Sequence, residues 1–396
     1  MFEDRVIQFL GVTQPVEAKI FGQRYVLRPV NDMEVGPEDI LVADDGAGSE
    51  LVARHKGVIL KVSLDTRRAQ RFPILCSRNT VIPEGARVLI LRAGGIGDHI
   101  MSGPAIEAFR KKRLNQDGQA LWLSVQADMF PLFESHPDID RLLPLPATLD
   151  QVLEADYVLD LSSMIQAEDF TLMHPIDVYM AAFGVAGDAR EQSIKPFLRW
   201  CRPQPSQACT HLLEGIRKDN PGKKLVTLHW QASVQLRTFP PERFARLTWI
   251  NRDCVFLVAH HCSQSENTQR MIQEYGLNAI NLSAYMTELD NFLYIIKASD
   301  FVISADTCAY HAAAGFRVPS LSLFGSLSSH LRTSYYPDNI ALDAHYVGKS
   351  CRSPCGRHKG KCPEAHLLGT PYSPCLLSYA EDRINAAFEQ LKARML

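Results

Sequence analysis

Asp98 closes a glycine-rich stretch, Arg92-Ala93-Gly94-Gly95-Ile96-Gly97-Asp98. Glycines there allow a tight strand-to-helix turn and let another molecule approach the main chain. A carboxylate in the first turn of a helix is favoured by the helix dipole, so Asp98 reads either as a plain cap or as an acid presented to a ligand. The Gly-Gly-Ile-Gly spacing is not the dinucleotide fingerprint. A second stretch, Phe301 to Gly325, runs from an apolar strand into Ala305-Asp306-Thr307 and then into a helix carrying His311. Free N–H groups and the positive dipole end make such a helix start a cradle for a diphosphate, and Thr307 can add a hydroxyl. Asp306 and Thr307 taken singly read as an N-cap, and His311 as a core histidine. With a further glycine turn at Gly325, they favour a nucleotide site. A third stretch holds Cys351, Cys355, Cys362 and Cys375, spaced Cys-x3-Cys-x6-Cys-x12-Cys. Four thiolates so clustered suit a tetrahedral structural Zn or Fe and leave no open position for catalysis. His358 and His366 are alternative ligands, and Lys349, Arg352, Arg357, Lys359 and Lys361 read as a solvated basic flank.

The elements that must hold these residues follow from the hydrophobic pattern. Residues 1–85 show short β-type runs (Ala18–Phe21, Tyr25–Pro29, Gly57–Ser63) broken by turn signals such as Asp44-Asp45-Gly46, and read as a β-rich accessory domain. From Ala86 the pattern becomes a β-α alternation. Arg87–Arg92 is a near-continuous apolar run, as a strand buried on both faces requires, and Ile100–Lys112 and Pro175–Phe183 are helical. This gives a first Rossmann-like domain over 86–200. Arg199–Ser206 is a proline-bearing linker, and a second alternation fills 205–345 with a helix expected over Pro241–Trp249. Residues 346–378 are the four-cysteine insert, and 379–396 an amphipathic helix. The fold class expected is therefore α/β, with two Rossmann-like domains whose cleft would hold a ligand.

Bulk composition narrows the function classes. The chain is 46% hydrophobic and 22% charged, ordinary for a globular protein, and its formal net charge of −2 supplies no global field for nucleic acid. Charged residues, Glu3, Asp4 and Arg5 among them, interrupt the first apolar stretch, so neither a signal peptide nor a spanning helix is expected. Ten cysteines spread over a long chain fit a reducing compartment, so the cytoplasm is expected.

Together Arg92–Asp98 and Ser304–Gly325 resemble the R-x-G-x-x-G-D turn and the S-x-D-T-x-x-x-H-x-A-A run of glycosyltransferase family 9, the ADP-heptose heptosyltransferases. Ala232–Phe244 is similar to that family's A-S-x-x-K/R-x-W-P block, so the resemblance spans roughly residues 87–345. It implies the two-domain GT-B architecture, with the closing helix crossing back to the first domain. It also implies Asp98 as general base and a donor site built from Gly94, Gly95, Gly97, Ser233, Arg237, Asp306, Thr307, His311 and Gly325. Where the family carries a glycine-bearing turn with an acidic residue, this chain reads Ala259-His260-His261-Cys262, which leaves the ribose contact open. The cysteine insert and the extra β-rich segment are similar to the autotransporter heptosyltransferases, whose cysteine finger binds iron.

The chemistry so implied is inverting sugar transfer without a catalytic metal. A carboxylate takes the proton of a poor hydroxyl nucleophile, while a helix N-terminus and Arg237 stabilise the departing diphosphate. The expected partners are a nucleotide-sugar donor, ADP-heptose first, and an acceptor protein or glycolipid ahead of nucleic acid, with a homo-oligomer left open. A glycosyltransferase acting on a modified base, a sugar-nucleotide epimerase and a non-catalytic binding protein of the same fold stay as rival readings.

Overall fold

The computed structural model describes residues 7–31, 35–63, 71–161, 164–165, 169–185, 197–357 and 360–394. Glu3, Asp4 and Arg5 therefore lie outside the described residues, as do His358 and Lys359 of the cysteine stretch. The chain forms two compact units. The first is Met1–Phe170 with Pro175–Ala189, and the second Thr171–His174 with Arg190–Leu396.

In the first unit the strands are β1 (Gln8–Val12), β2 (Val16–Ile20), β3 (Gln23–Leu27), β4 (Leu41–Ala43), β5 (Ile59–Lys61), β6 (Ile74–Leu75), β7 (Arg87–Leu91), β8 (Ala120–Val125), β9 (Arg141–Pro144), β10 (Ala147–Thr148) and β11 (Tyr157–Asp160). Its main helices are α1 (Asp45–Arg54), α2 (Ile96–Arg113) and α3 (Pro175–Ala182). A parallel sheet runs in the order β6-β11-β7-β8-β9. Val88, Leu89, Ile90 and Leu91 of its central strand are wholly buried, which is why that run shows no polar alternation. An antiparallel sheet, β10-β4-β1-β5, and the hairpin β2-β3 precede or flank it.

The N-terminal segment is less separate than the turn signals in the sequence suggest. Its sheet is completed by β10 from far along the chain, and Ile74–Leu75 joins the parallel sheet instead. Leu10, Val42 and Leu51 share one apolar core with Leu89, Leu91 and Val158. The run Asp44-Asp45-Gly46 is also not a plain turn. Asp44 caps α1 by accepting the Ala47 N–H at 2.8 Å, and the helix continues through two glycines despite their low propensity. Tertiary packing overrides propensity here, since a Cβ on Gly48 would meet Gln8 Oε1 of β1 at 2.5 Å.

The second unit is one six-stranded parallel sheet. Its strands are β12 (Lys224–His229), β13 (Cys254–Val258), β14 (Ala279–Asn281), β15 (Phe301–Ala305), β16 (Ser320–Phe324) and β17 (Asn339–Asp343). They run in the order β14-β13-β12-β15-β16-β17, the doubly wound arrangement. Its main helices are α4 (Gln207–Asp219), α5 (Ala245–Ile250), α6 (Ser265–Glu274), α7 (Leu289–Ala298), α8 (Cys308–Phe316), α9 (Pro363–Leu368) and α10 (Glu381–Ala393). The helix expected over Pro241–Trp249 is a 3-10 turn, Pro241–Phe244, followed by the short α5.

The closing helix α10 belongs to the second unit. It packs within the second unit, where Phe388 lies against Phe256 and Phe301 at ring distances of 6.3 and 5.6 Å. Ile384, Phe388 and Leu391 belong to that unit's core. Among the described residues no helix is long and apolar enough to cross a membrane.

Candidate active site

In both sheets the strand order reverses beside the first strand of the alternation, between β7 and β11 and between β12 and β15. Connections leave such a point in opposite directions, so the carboxyl ends of the strands open a crevice there. Both motif stretches start at these strand ends.

In the first unit the chain leaves β7 at Arg92 and turns through Gly94 into α2. Gly94 has a φ of +144°, a conformation open to glycine, and a Cβ there would lie 3.1 Å from Arg92 Nη2 and 3.2 Å from the Asp98 Cβ. Gly95 is the N-cap of α2, and Gly97 sits in its first turn. The Gly95 N–H donates to Asp98 Oδ2 at 3.1 Å. On the other carboxylate oxygen, the Tyr179 hydroxyl donates to Oδ1 at 3.3 Å, and Arg92 Nη2 lies 3.8 Å away. Arg92 in turn donates to the Tyr179 hydroxyl at 2.5 Å. The Asp98 side chain keeps 40% of its surface exposed while that of Arg92 keeps 10%. Asp98 is thus both a capping residue and an acid open to solvent.

Two further groups brace this turn. Asp44, wholly buried at the start of α1, accepts the Ala93 N–H at 2.9 Å. His99, also fully buried, pairs with Gln126 Oε1 at 3.1 Å. Burial first, and then the Arg92 charge, pull the His99 imidazole down to about 4, so it is neutral at pH 7.

In the second unit Thr307 caps α8, its hydroxyl accepting the Ala309 N–H at 3.2 Å. The same hydroxyl meets Ser304 Oγ at 2.9 Å and His229 Nδ1 at 3.2 Å, which ties the ends of β12 and β15 together. Asp306 accepts from the Tyr310 hydroxyl at 3.2 Å and lies 3.6 Å from Arg237 Nη1. Arg237 also donates to the Asp306 carbonyl at 3.2 Å and to Ser233 Oγ at 3.3 Å. Ser233, Arg237, Asp306 and Thr307 are therefore gathered at one helix start.

His311 and Gly325 take different surroundings. His311 is buried, its Nδ1 lies 2.6 Å from the Tyr336 hydroxyl, and its ring stacks on Tyr310 at 3.9 Å. Burial, with His174, Arg332 and Arg237 nearby, holds its pKa well below the usual histidine range. It is a neutral imidazole and brings no positive charge to a phosphate. Gly325 backs onto the cysteine segment, where a Cβ would meet Leu376 Cδ2 at 2.6 Å and Cys375 Sγ at 2.9 Å. Its lack of a side chain serves that close approach.

Tyr179, Asp44, His229 and the buried Arg332 escape sequence reasoning. Tyr179 sits in a helix with no motif, and Asp44 lies in what the sequence presents as a turn. Only His229, at the end of an apolar strand just before Ala232-Ser233, carried a signal.

The four cysteines are free thiols; Cys362 and Cys375 are buried, Cys351 is half-buried and Cys355 is exposed. Burial pushes Cys375 up to about 12, and the charges of Cys362, Cys355 and Cys351 add to it. The thiols thus act on one another. Yet among the described residues no three Cys, His, Asp or Glu side chains form a group able to hold a metal ion, so the expected knuckle is not formed here. His366 lies near the C-terminal end of α9 and does not complete one.

The family model of glycosyltransferase family 9 (heptosyltransferase) matches residues 158–358, just over half of the chain. The chain belongs to this family. It is a glycosyltransferase, and the matched stretch contains Ser233, Arg237, Asp306, Thr307, His311 and Gly325, whereas the Asp98 turn precedes it. Among solved structures, the glycosyl transferase family 9 protein of Veillonella parvula DSM 2008 is 14% identical, with a TM-score of 0.56 over 79% of this chain and 99% of that one. E. coli ADP-heptose LPS heptosyltransferase II is 14% identical with a TM-score of 0.54, covering 78% of this chain and 99% of the other. TibC of enterotoxigenic E. coli H10407, described as an iron-containing dodecameric glycosyltransferase, is 12% identical with a TM-score of 0.51, covering 90% and 83%. At these identities the likeness is one of fold. No curated protein matches the chain.

Proposed function

We propose that this family 9 glycosyltransferase moves a heptose from ADP-heptose to a hydroxyl of a protein or glycolipid, inverting the anomeric centre. The acceptor oxygen attacks the anomeric carbon, the bond from that carbon to the diphosphate oxygen breaks, and ADP departs. Asp98 takes the hydroxyl proton. One observation carries this reading: Asp98 is held at both oxygens yet stays 40% exposed at the carboxyl end of a parallel sheet. A base must be ionised, fixed and reachable, and Asp98 meets the last two conditions.

Donor binding belongs to the second unit in this reading. The N–H groups opening α8, the Thr307 hydroxyl and the Arg237 guanidinium would hold the diphosphate and stabilise the charge it gains as it leaves. That supply of positive charge supports chemistry without a catalytic metal. The proteins of like fold support the choice of sugar: one is named an ADP-heptose heptosyltransferase, and TibC is described in complex with ADP-D-β-D-heptose. The four thiols suit, in kind, a structural Fe or Zn.

A thermal-shift screen of ADP-, UDP- and GDP-sugars tests the donor. A ligand at 100 times its Kd adds about 2.7 kcal/mol of stability. ADP-heptose is expected to stabilise wild type and Asp98→Ala alike, while Asp98→Ala loses turnover by about 10²-fold or more. Unchanged turnover in Asp98→Ala, or no binding of any nucleoside diphosphate sugar, rejects the reading.

A further inference from the structure

The structure assigns a positioning role to Tyr179: its hydroxyl links the Arg92 guanidinium to the Asp98 carboxylate and holds that carboxylate in one orientation. This rests on the reading of Asp98 as the base.

Tyr179 is wholly buried on α3, a helix packed on α2 through Phe109 and Phe183, whose rings lie 5.0 Å apart. A buried phenol must satisfy its hydroxyl. The interior offers backbone carbonyls for that purpose, yet both partners of this one come from the glycine turn. It accepts from Arg92 at 2.5 Å and donates to Asp98 at 3.3 Å. Arg92 at 3.8 Å is beyond direct hydrogen-bond reach of the same carboxylate oxygen, so the hydroxyl is the link between the two charges.

The packing leaves the phenol few alternatives. The Arg92 guanidinium lies 5.1 Å from the centre of the Tyr179 ring, and Phe170 meets the ring edge-on at 6.0 Å. Burial pushes its ionisation far above the usual tyrosine range, so the group stays a donor at working pH. With Gly95 N–H on Oδ2 and Tyr179 on Oδ1, each carboxylate oxygen has one donor and keeps lone-pair capacity for a proton. Without the hydroxyl, Oδ1 has no donor within hydrogen-bond distance and the carboxylate can rotate about its side-chain bonds.

The charged and titratable groups near Asp98 are Arg92 from β7, Tyr179 from α3, His99 beside it on α2, and Asp44 from the start of α1 behind Ala93. His99 is neutral and Asp44 does not contact Asp98, so Tyr179 and Arg92 set the side-chain environment of the acid.

Tyr179→Phe keeps the ring and removes only the link. Turnover is read as ADP released from ADP-heptose with water as acceptor. Steady-state kinetics of Tyr179→Phe and Asp98→Asn separate kcat from the KM for ADP-heptose. We expect kcat to fall about tenfold or more, with the KM for ADP-heptose and the melting temperature close to wild type. A wild-type kcat in Tyr179→Phe overturns the role, as does a fall in kcat matched by a loss of fold. If Asp98→Asn turns over normally, the base itself is misassigned and this role falls with it. If Asp98→Asn is inactive and Tyr179→Phe is not, only the tyrosine is misassigned.

Discussion

Arg237 and Asp306 illustrate how one side chain at this site serves two masters. The Arg237 guanidinium is three-quarters buried and spends its donors on the Asp306 carbonyl and Ser233, while its Nε has no partner among the described residues. Asp306 is 96% buried, with Oδ2 lacking a hydrogen bond and facing Arg237 at 3.6 Å. A diphosphate would complete the arginine's donor set, and charge-assisted bonds of this kind contribute about 1.5–3 kcal/mol each. Arg237→Ala is therefore expected to weaken ADP binding by roughly tenfold to a hundredfold in a calorimetric titration. An unchanged Kd would remove Arg237 from the donor site. His311 makes the opposite point: the family resemblance implied a donor contact, whereas the residue taken singly read as a core histidine, and its contacts with Tyr336 and Tyr310 make it a packed, neutral ring.

At the level of elements, the cysteine insert shows how a loop can be tied to a site. Cys375 lies in the core of the second unit, and Gly325, at the end of β16, has given up its side chain to let Cys375 and Leu376 approach. Glu364, buried at the start of α9, accepts the Lys349 and Ser350 N–H groups at 2.9 and 3.1 Å and so ties down the loop. Burial raises the Cys351 and Cys375 thiols, so a metal that binds them must displace protons, and its affinity rises with pH. On the proposed reading of a structural metal, the thiols would have to close around the ion, and protein purified without chelator would carry about one Fe or Zn per chain by elemental analysis, lost in Cys362→Ser. A metal-free wild type of normal stability would show the loop to be held by Glu364 and packing alone.

For the molecule as a whole, buried histidines set an acid limit to stability. His99 in the first unit and His229 in the second are each held down to about 4, and His174 to about 3, all chiefly by burial. Unfolded, each takes a proton near pH 6.5, whereas the native state does so only at the lower value. The stabilisation is complete above about pH 6.5 and is lost as pH falls from there toward 4. Depressed carboxylates such as Asp156 act below this window. Thermal melts between pH 7.5 and 4.5 should therefore show a melting temperature that falls steadily below pH 6.5. A flat profile down to pH 4.5 would mean these imidazoles are protonated in the folded protein.

Periodicity alone determined the class of fold, because a strand buried on both faces must be apolar throughout and its covering helices must follow at regular intervals. It also located both strand-to-helix turns of the candidate site, since glycine before a helix and Thr at an N-cap answer to local backbone rules. Strand order, the partnership of Asp98 with Tyr179 across 81 positions, the retreat of His311 into the core and the packing duty of Gly325 were decided only in three dimensions. These depend on which side chains meet after helices settle on sheets, and contacts between distant residues leave no mark on the spacing of near ones.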